Sequence, residues 1–224
     1  MAFEARTGVD FMTKRHIAII GAGGHAEVVA SVILASGDSI AGFYADVPSL
    51  WGSSLAGALV AGPVSEITSA RCSHAVIGIG ANDARKKFAE KIDMEWATII
   101  HPFSWIHPEV PVGCGSVICA GAIVQPGAHV GAHVILNTKA SVDHHCRVGD
   151  YAHIAVAHLA GGASIDEGVF MALSSTVLPK VHVGAWATVG AGAVVKRNVD
   201  PHSTVVGNPA RSLSELRSHD REVH

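Results

Sequence analysis

Residues 116–154 read SVICAGAIVQPGAHVGAHVILNTKASVDHHCRVGDYAHI, and an aliphatic side chain returns at every sixth position: Ile118, Val124, Val130, Leu136, Val142, Val148 and Ile154. The same beat reaches back to Val112 and Ile106. If about one residue in three is aliphatic, nine consecutive hits arise by chance about once in twenty thousand trials. Small side chains stand two residues ahead of most of these sites, at Ser116, Ala122, Ala128, Ala140, Cys146 and Ala152, and Gly113, Gly131 and Gly149 follow some of them. Further on the beat resumes at Ile165, Met171, Val177, Val183, Val189 and Val195, with Gly184 and Gly190 behind it.

A period of six has a direct physical meaning. Each hexapeptide supplies one short strand, its aliphatic residue points inward, and a small residue leaves room at a corner. Three hexapeptides close a triangular coil, and stacked coils share one apolar column. The expected architecture is a left-handed parallel β-helix. A β-sandwich would instead show alternation of period two and irregular turns. One interval breaks the rule: Ile154 to Ile165 is eleven residues rather than twelve, so a coil near His158-Leu159-Ala160-Gly161-Gly162 is one residue short. Such a break marks either a site or a neutral deletion.

Upstream of the repeat the grammar changes. Ile17-Ala18-Ile19-Ile20 is an apolar run suited to a buried parallel strand. It meets Gly21-Ala22-Gly23-Gly24-His25-Ala26 and then a helical pattern from Glu27 to Leu34. Strand, glycine turn and helix together let backbone amides approach a phosphate. A second strand, Ile40 to Tyr44, ends near Asp46, where a Rossmann unit places its ribose-binding acid. A third, His74 to Gly80, leads into Asn82 and a basic helix from Arg85 to Lys91. The turn admits a dinucleotide, a nucleotide diphosphate or no ligand. Because Ala26 stands where the third glycine of G-x-G-x-x-G would be, the nucleotide diphosphate is favoured over NAD. The expected organisation is a Rossmann-like α/β domain over 14–100, the prism over 101–211, and a polar tail over 212–224.

Composition narrows the partners. Among 224 residues, 16 Lys and Arg face 19 Asp and Glu, for a formal net charge of −3. With no basic stripe, a nucleic-acid partner is not expected. The apolar stretch from Ile17 to Ala35 carries His25, Glu27 and three glycines, so it reads as buried strand, turn and helix rather than a membrane span or signal peptide. Cys72, Cys114, Cys119 and Cys146 form no CxxC pair, which fits reduced thiols and a cytoplasmic location.

A phosphate-binding turn followed by a hexapeptide prism resembles the sugar acetyltransferases that act on bacillosamine, perosamine and sialic-acid precursors. The likeness covers about residues 16 to 211. It rests on Gly21-Ala22-Gly23-Gly24-His25, on Asn137-Thr138-Lys139-Ala140-Ser141-Val142-Asp143-His144-His145-Cys146, and on Val206-Gly207-Asn208-Pro209-Ala210. The resemblance implies acetyl transfer from acetyl-CoA to a nucleotide-linked 4-amino sugar, without metal or NAD, in a homotrimer. His144 falls on the general base of the family, with His145 beside it. An imidazole suits a base that works near neutral pH. Gly21, Gly23, Gly24, His25, Asp46, Asn82 and Asn137 match the sugar-nucleotide side. His153, Gly161, Leu173 and Ala191 match the acetyl-CoA side, where the amide of Gly161 could hold the thioester oxygen.

One departure stands out. The family often places an acidic residue immediately after the base, and here that position is His145. On an extended strand Asp143 and His145 would share one side and His144 the other, which leaves a backbone carbonyl or a neighbouring subunit to orient the base. Other readings stay open: O-acetylation of a sugar hydroxyl, and a non-catalytic scaffold with a sugar-nucleotide sensor. A prism carbonic anhydrase would use His153 and His158, but Val117 stands where a third ligand is needed.

Overall fold

In a computed structural model, residues 14–214 and 216 are described. Residues 1–13 and most of the polar tail assigned to 212–224 fall outside them. The first domain is a mostly parallel sheet with one antiparallel edge strand and flanking helices. Strand β1 (His16–Ile20) runs into helix α1 (Gly24–Ala35), then β2 (Ser39–Tyr44), β3 (Ser54–Leu55), β4 (Ala58–Gly62), β5 (His74–Ile77) and helix α2 (Asn82–Lys91). The sheet order is β3-β4-β2-β1-β5, and β2 and β5 both pair with β1 in parallel. Four of the five residues of β1 are fully buried, as a central strand covered on both faces requires. Gly21 turns the chain at φ +104, a conformation that L side chains rarely adopt, and a Cβ there would also meet Ile79 at 2.9 Å.

The remainder is the expected prism, a solenoid of two-residue strands on three faces. The first face pairs His129–Val130, Arg147–Val148, Ser164–Ile165 and His182–Val183. The second stacks Ile99–Ile100, Val117–Ile118, Ile135–Leu136, His153–Ile154, Phe170–Met171, Thr188–Val189 and Thr204–Val206. The third stacks Trp105–Ile106, Ile123–Val124, Ser141–Val142, His158–Leu159, Thr176–Val177 and Val194–Val195. The second residue of each strand faces the axis, so the sixth-position aliphatics form one buried column with the small corner residues Ala122, Ala128, Ala140, Cys146 and Ala152. The solenoid takes its first strand from Ile99–Ile100, ahead of the aliphatic beat that starts at Ile106.

The coil that breaks the hexad is repaired at a different place from the one the sequence suggested. The corners 137–140 and 172–175 hold four residues each, whereas 155–157 holds three. Register holds on both sides, since Ser141 pairs with His158 and His158 with Thr176. The missing residue therefore lies at Ala155-Val156-Ala157, ahead of His158 to Gly162, where a tight turn with Val156 at φ +51 absorbs it. The prism carries the first domain on its second face: Ile99, Val117, Cys119 and Ile135 join Ile17, Ala26, Val29, Ala30 and Ile33 in one buried cluster.

Candidate active site

The corner after Ser141–Val142 holds the histidine pair. The chain leaves the strand at Asp143, whose Oδ1 accepts the backbone N–H of His144 at 2.7 Å. His145 adopts φ +59, so strand alternation no longer applies beyond Val142. The alternation rule set His144 and His145 on opposite sides, and the structure corrects it: their Nδ1 atoms lie 3.0 Å apart and their rings meet edge to face. Both side chains are exposed. The ring of His144 lies over Gly161 in the coil above, and a Cβ at that glycine would fall 2.5 Å from Nε2. Gly162 N–H holds the carbonyl of His144 at 2.8 Å, while the amide of Gly161 donates to no acceptor among the described residues. The imidazole edge thus packs against a glycine whose N–H is uncommitted, which brings together a group able to take a proton and a donor able to stabilise negative charge.

A second group gathers at the other edge of the same face. Asn137 opens the corner 137–140, and its Nδ2 lies 3.3 Å from Nε2 of His153. The opposite ring nitrogen of His153 faces the carbonyl of Gly80 at 3.3 Å. An amide N–H can only donate and a carbonyl only accept, so His153 carries its proton on Nδ1 and offers Nε2 as acceptor. Burial, the charge of Arg85 and the nearby His25 push it down to about 4, which keeps it neutral at physiological pH. His25, at the start of α1, stands with its ring 6.0 Å from that of His153 and is likewise lowered, first by burial and then by Arg85. Its Nε2 is buried without a hydrogen-bond partner among the described residues. Leu173 and Ala191 occupy the corners above this edge, and Leu173 is 59% exposed. Asp46 stands exposed beyond the end of β2, with Oδ1 accepting the amide of Val64 at 2.9 Å.

Asn82 has a different position from a ligand-facing side chain. Its amide donates to the carbonyls of Gly168 and Val169 at 2.9 and 3.2 Å, and its Oδ1 accepts from Arg85 at 3.0 Å. Arg85 itself, the first residue of the basic helix read from the sequence, is only 1% exposed. Its guanidinium donates to the carbonyls of His133, Ile79, Gly80, Tyr151 and Ala152 as well. Burial lowers it to about 10, still charged at neutral pH. Asn82 and Arg85, three apart on one face of α2, lock the two domains together. That spacing was the available signal. A cleft of about 290 Å³ runs alongside, between Gly80–Asp83 and Gly168, Phe170, Trp186 and Thr188. His158, the second histidine of the carbonic anhydrase reading, points outward from the third face, whereas His153 projects from the second. Among the described residues no group of three or more His, Cys, Asp or Glu is gathered as a metal site.

The site residues therefore fall into two sets at opposite edges of the third face. His144, His145 and Gly161 mark one edge. Asn137, His153, Leu173 and Ala191 mark the other, with His25 and the glycine turn beside them.

A strand, glycine turn and helix docked on a left-handed hexapeptide prism, with an exposed histidine pair packed against Gly161, is the build of a sugar acyltransferase. Comparison with known proteins agrees. Residues 16–92 match the PglD N-terminal domain. PerB from Caulobacter crescentus, solved in complex with CoA and GDP-perosamine, is 32% identical, with 88% of this chain and 96% of that one covered at a TM-score of 0.84. The acetyltransferase domain of PglB from Neisseria gonorrhoeae FA1090, solved in complex with acetyl coenzyme A, is 33% identical, with 89% and 100% covered at a TM-score of 0.83. The chain belongs to the hexapeptide-repeat sugar acetyltransferase family. Curated relatives are longer and more distant: Serine acetyltransferase 2 of Arabidopsis thaliana is 28% identical over 116 residues, 51% of this chain. The chain spans between a third and a half of the length of the first curated relatives it matches.

Proposed function

We propose that the protein transfers the acetyl group of acetyl-CoA to the amine of a nucleotide-linked 4-amino sugar, with His144 as general base, in a homotrimer. One observation carries the reading: an exposed histidine whose Nε2 edge packs against Gly161, where no side chain could fit and whose N–H has no acceptor among the described residues. The amine attacks the thioester carbonyl and His144 Nε2 takes its proton, while the Gly161 N–H meets the oxygen as it gains charge. The intermediate then collapses, the C–S bond breaks, and the CoA thiolate leaves with the proton returned from His144. Neutral His153 keeps Nε2 as an acceptor and is tied to Asn137, so it serves to position rather than to titrate near pH 7. The glycine turn at 21–24 and the start of α1 seat the diphosphate, and Asp46 reaches the ribose. The presence of CoA and GDP-perosamine in the complex of PerB supports this substrate class.

The trimer follows from the separation of the two sets. One protomer holds its base at one edge of the third face and the coenzyme-side residues His153, Leu173 and Ala191, with Asn137, at the other. Three-fold packing sets one edge of a subunit against the opposite edge of its neighbour and completes the site. The third face also carries apolar surface for such packing: Phe103 is 81% exposed, Trp105 48% and Ile123 40%, the last two paired on adjacent strands. The test is thiol release from acetyl-CoA against UDP-, GDP- and dTDP-linked amino sugars, with the product located by mass spectrometry. An N-acetylated 4-amino sugar is expected. An ester product selects O-acetylation, and binding without turnover across the panel selects the scaffold reading.

A further inference from the structure

The position after the base holds a histidine, and its contacts assign it a task. Four neighbours of the His144 ring can be sorted by what they still have to offer. Asp143 turns its Oδ1 to the backbone N–H of His144, not to the ring. Gly161 packs against the Nε2 edge and has no side chain to offer. Gly162 binds the backbone carbonyl. Among the described residues only His145 meets the ring at a nitrogen, Nδ1 to Nδ1, at 3.0 Å with the rings at 82°. Its own place is defined by the backbone at φ +59 and by the coil below, where a Cβ on Gly127 would come within 2.8 Å of Cδ2 of His145.

Resting on the reading of His144 as the base, we propose that His145 is its positioning residue: His145 Nδ1 accepts the Nδ1–H of His144 and so leaves the lone pair of His144 on Nε2, above Gly161. Of two neutral imidazoles meeting nitrogen to nitrogen, one donates and the other accepts. Only one direction leaves Nε2 of His144 able to take a proton. His145 then carries its own proton on Nε2. When His144 gains the proton of the amine, the Nδ1–H bond to a neutral acceptor strengthens, as a charge-assisted bond does. A neutral acceptor favours the imidazolium less than a carboxylate would. This chain therefore has the orienting bond without the fixed negative charge.

The groups that face the pair are few. Asp143 and Cys146 share its corner, Gln125 to Ala128 below and Ala160 to Ala163 above carry no charge, and Lys180 in the next coil reaches the position of Gly162. Swapping the acceptor should therefore change kinetics in an interpretable way. The experiment measures kcat, KM and the pH profile of kcat for His145→Ala and His145→Asp, with thermal melting to verify the fold. His145→Ala is expected to lower kcat about tenfold, the rate equivalent of one hydrogen bond at the transition state, with both KM values little changed. His145→Asp, which restores an acceptor and tolerates a left-handed backbone, is expected to recover most of that loss. It should also move the rising limb to higher pH by about one unit, because a carboxylate favours the imidazolium.

Full kcat in His145→Ala overturns the proposal, as does a folded His145→Asp whose limb stays in place. If the alanine variant fails to fold, the aspartate limb alone decides. His144→Asn separates the layers. A large loss there with silent His145 variants removes only the positioning role, whereas a small loss in His144→Asn removes the base itself.

Discussion

Arg85 shows how far a single residue can be misjudged from its neighbours in sequence. The sequence shows a basic helix from Arg85 to Lys91, yet Arg85 is buried with carbonyls of both domains around its guanidinium while Lys86 reaches out to Glu167. The difference is rotation about α2, which a run of three charges hides. Replacing Arg85 by Met should leave buried carbonyls without donors and cost at least about 3 kcal/mol of stability, read as a lower urea midpoint. A midpoint within error of wild type would mean the junction is held by apolar packing alone. The histidine pair was legible in a different sense. The motif drew attention to His144 and His145, but the bond between them depends on a left-handed turn at His145, and strand alternation carries no information past the last strand residue.

At the scale of elements, the hexad was readable in full because packing enforces it. Each inward aliphatic must return every six residues to the same column, so the sequence cannot drift without opening a void. The corner at 155–157 is not under that constraint, since it only joins two faces, and the sequence could show that a residue was missing without showing where. Its three residues sit between four-residue corners that carry Asn137 below and Leu173 above, on the edge assigned to the coenzyme. Inserting one glycine between Ala155 and Val156 should keep the strands in register and change stability by less than about 1 kcal/mol, because loop length is thermodynamically cheap. It should raise KM for acetyl-CoA, because the longer corner would stand out between Asn137 and Leu173. An unchanged KM would identify the shortening as neutral.

Across the whole molecule, two buried histidines tie stability to pH. His133 and His153 are only 4% and 8% exposed, and burial followed by the charge of Arg85 brings each from 6.5 to about 4. Both are neutral in the folded protein and protonated in the unfolded chain between those values, so the unfolded state binds more protons there. Stability is therefore complete above about pH 6.5 and is lost as pH falls toward 4, by up to about 3 kcal/mol for each histidine. Melting temperature against pH checks this, and His153→Asn should flatten the slope; a melting temperature unchanged from pH 7 to 4.5 would contradict it. The proposed assembly adds a second test at this scale. Mixing His144→Asn subunits with Asn137→Ala subunits should regain activity that neither has alone, because some mixed sites draw both intact sets. No recovery would place each site within one subunit.

The central claim is that His144 takes the proton of the attacking amine. Its most direct test is kcat for thiol release from acetyl-CoA by the wild type and by His144→Asn, at saturating amino-sugar nucleotide across the pH range. Asparagine keeps a hydrogen-bonding side chain of related shape and removes the base. General-base catalysis contributes about 10²- to 10⁴-fold, so kcat should fall within that range with KM little altered, and the variant should lose the rising limb near neutrality. A loss of less than tenfold, with a residual rate that climbs only with the amine's own titration, would contradict the account: the amine would then arrive already deprotonated, and the groove would merely align it with the thioester.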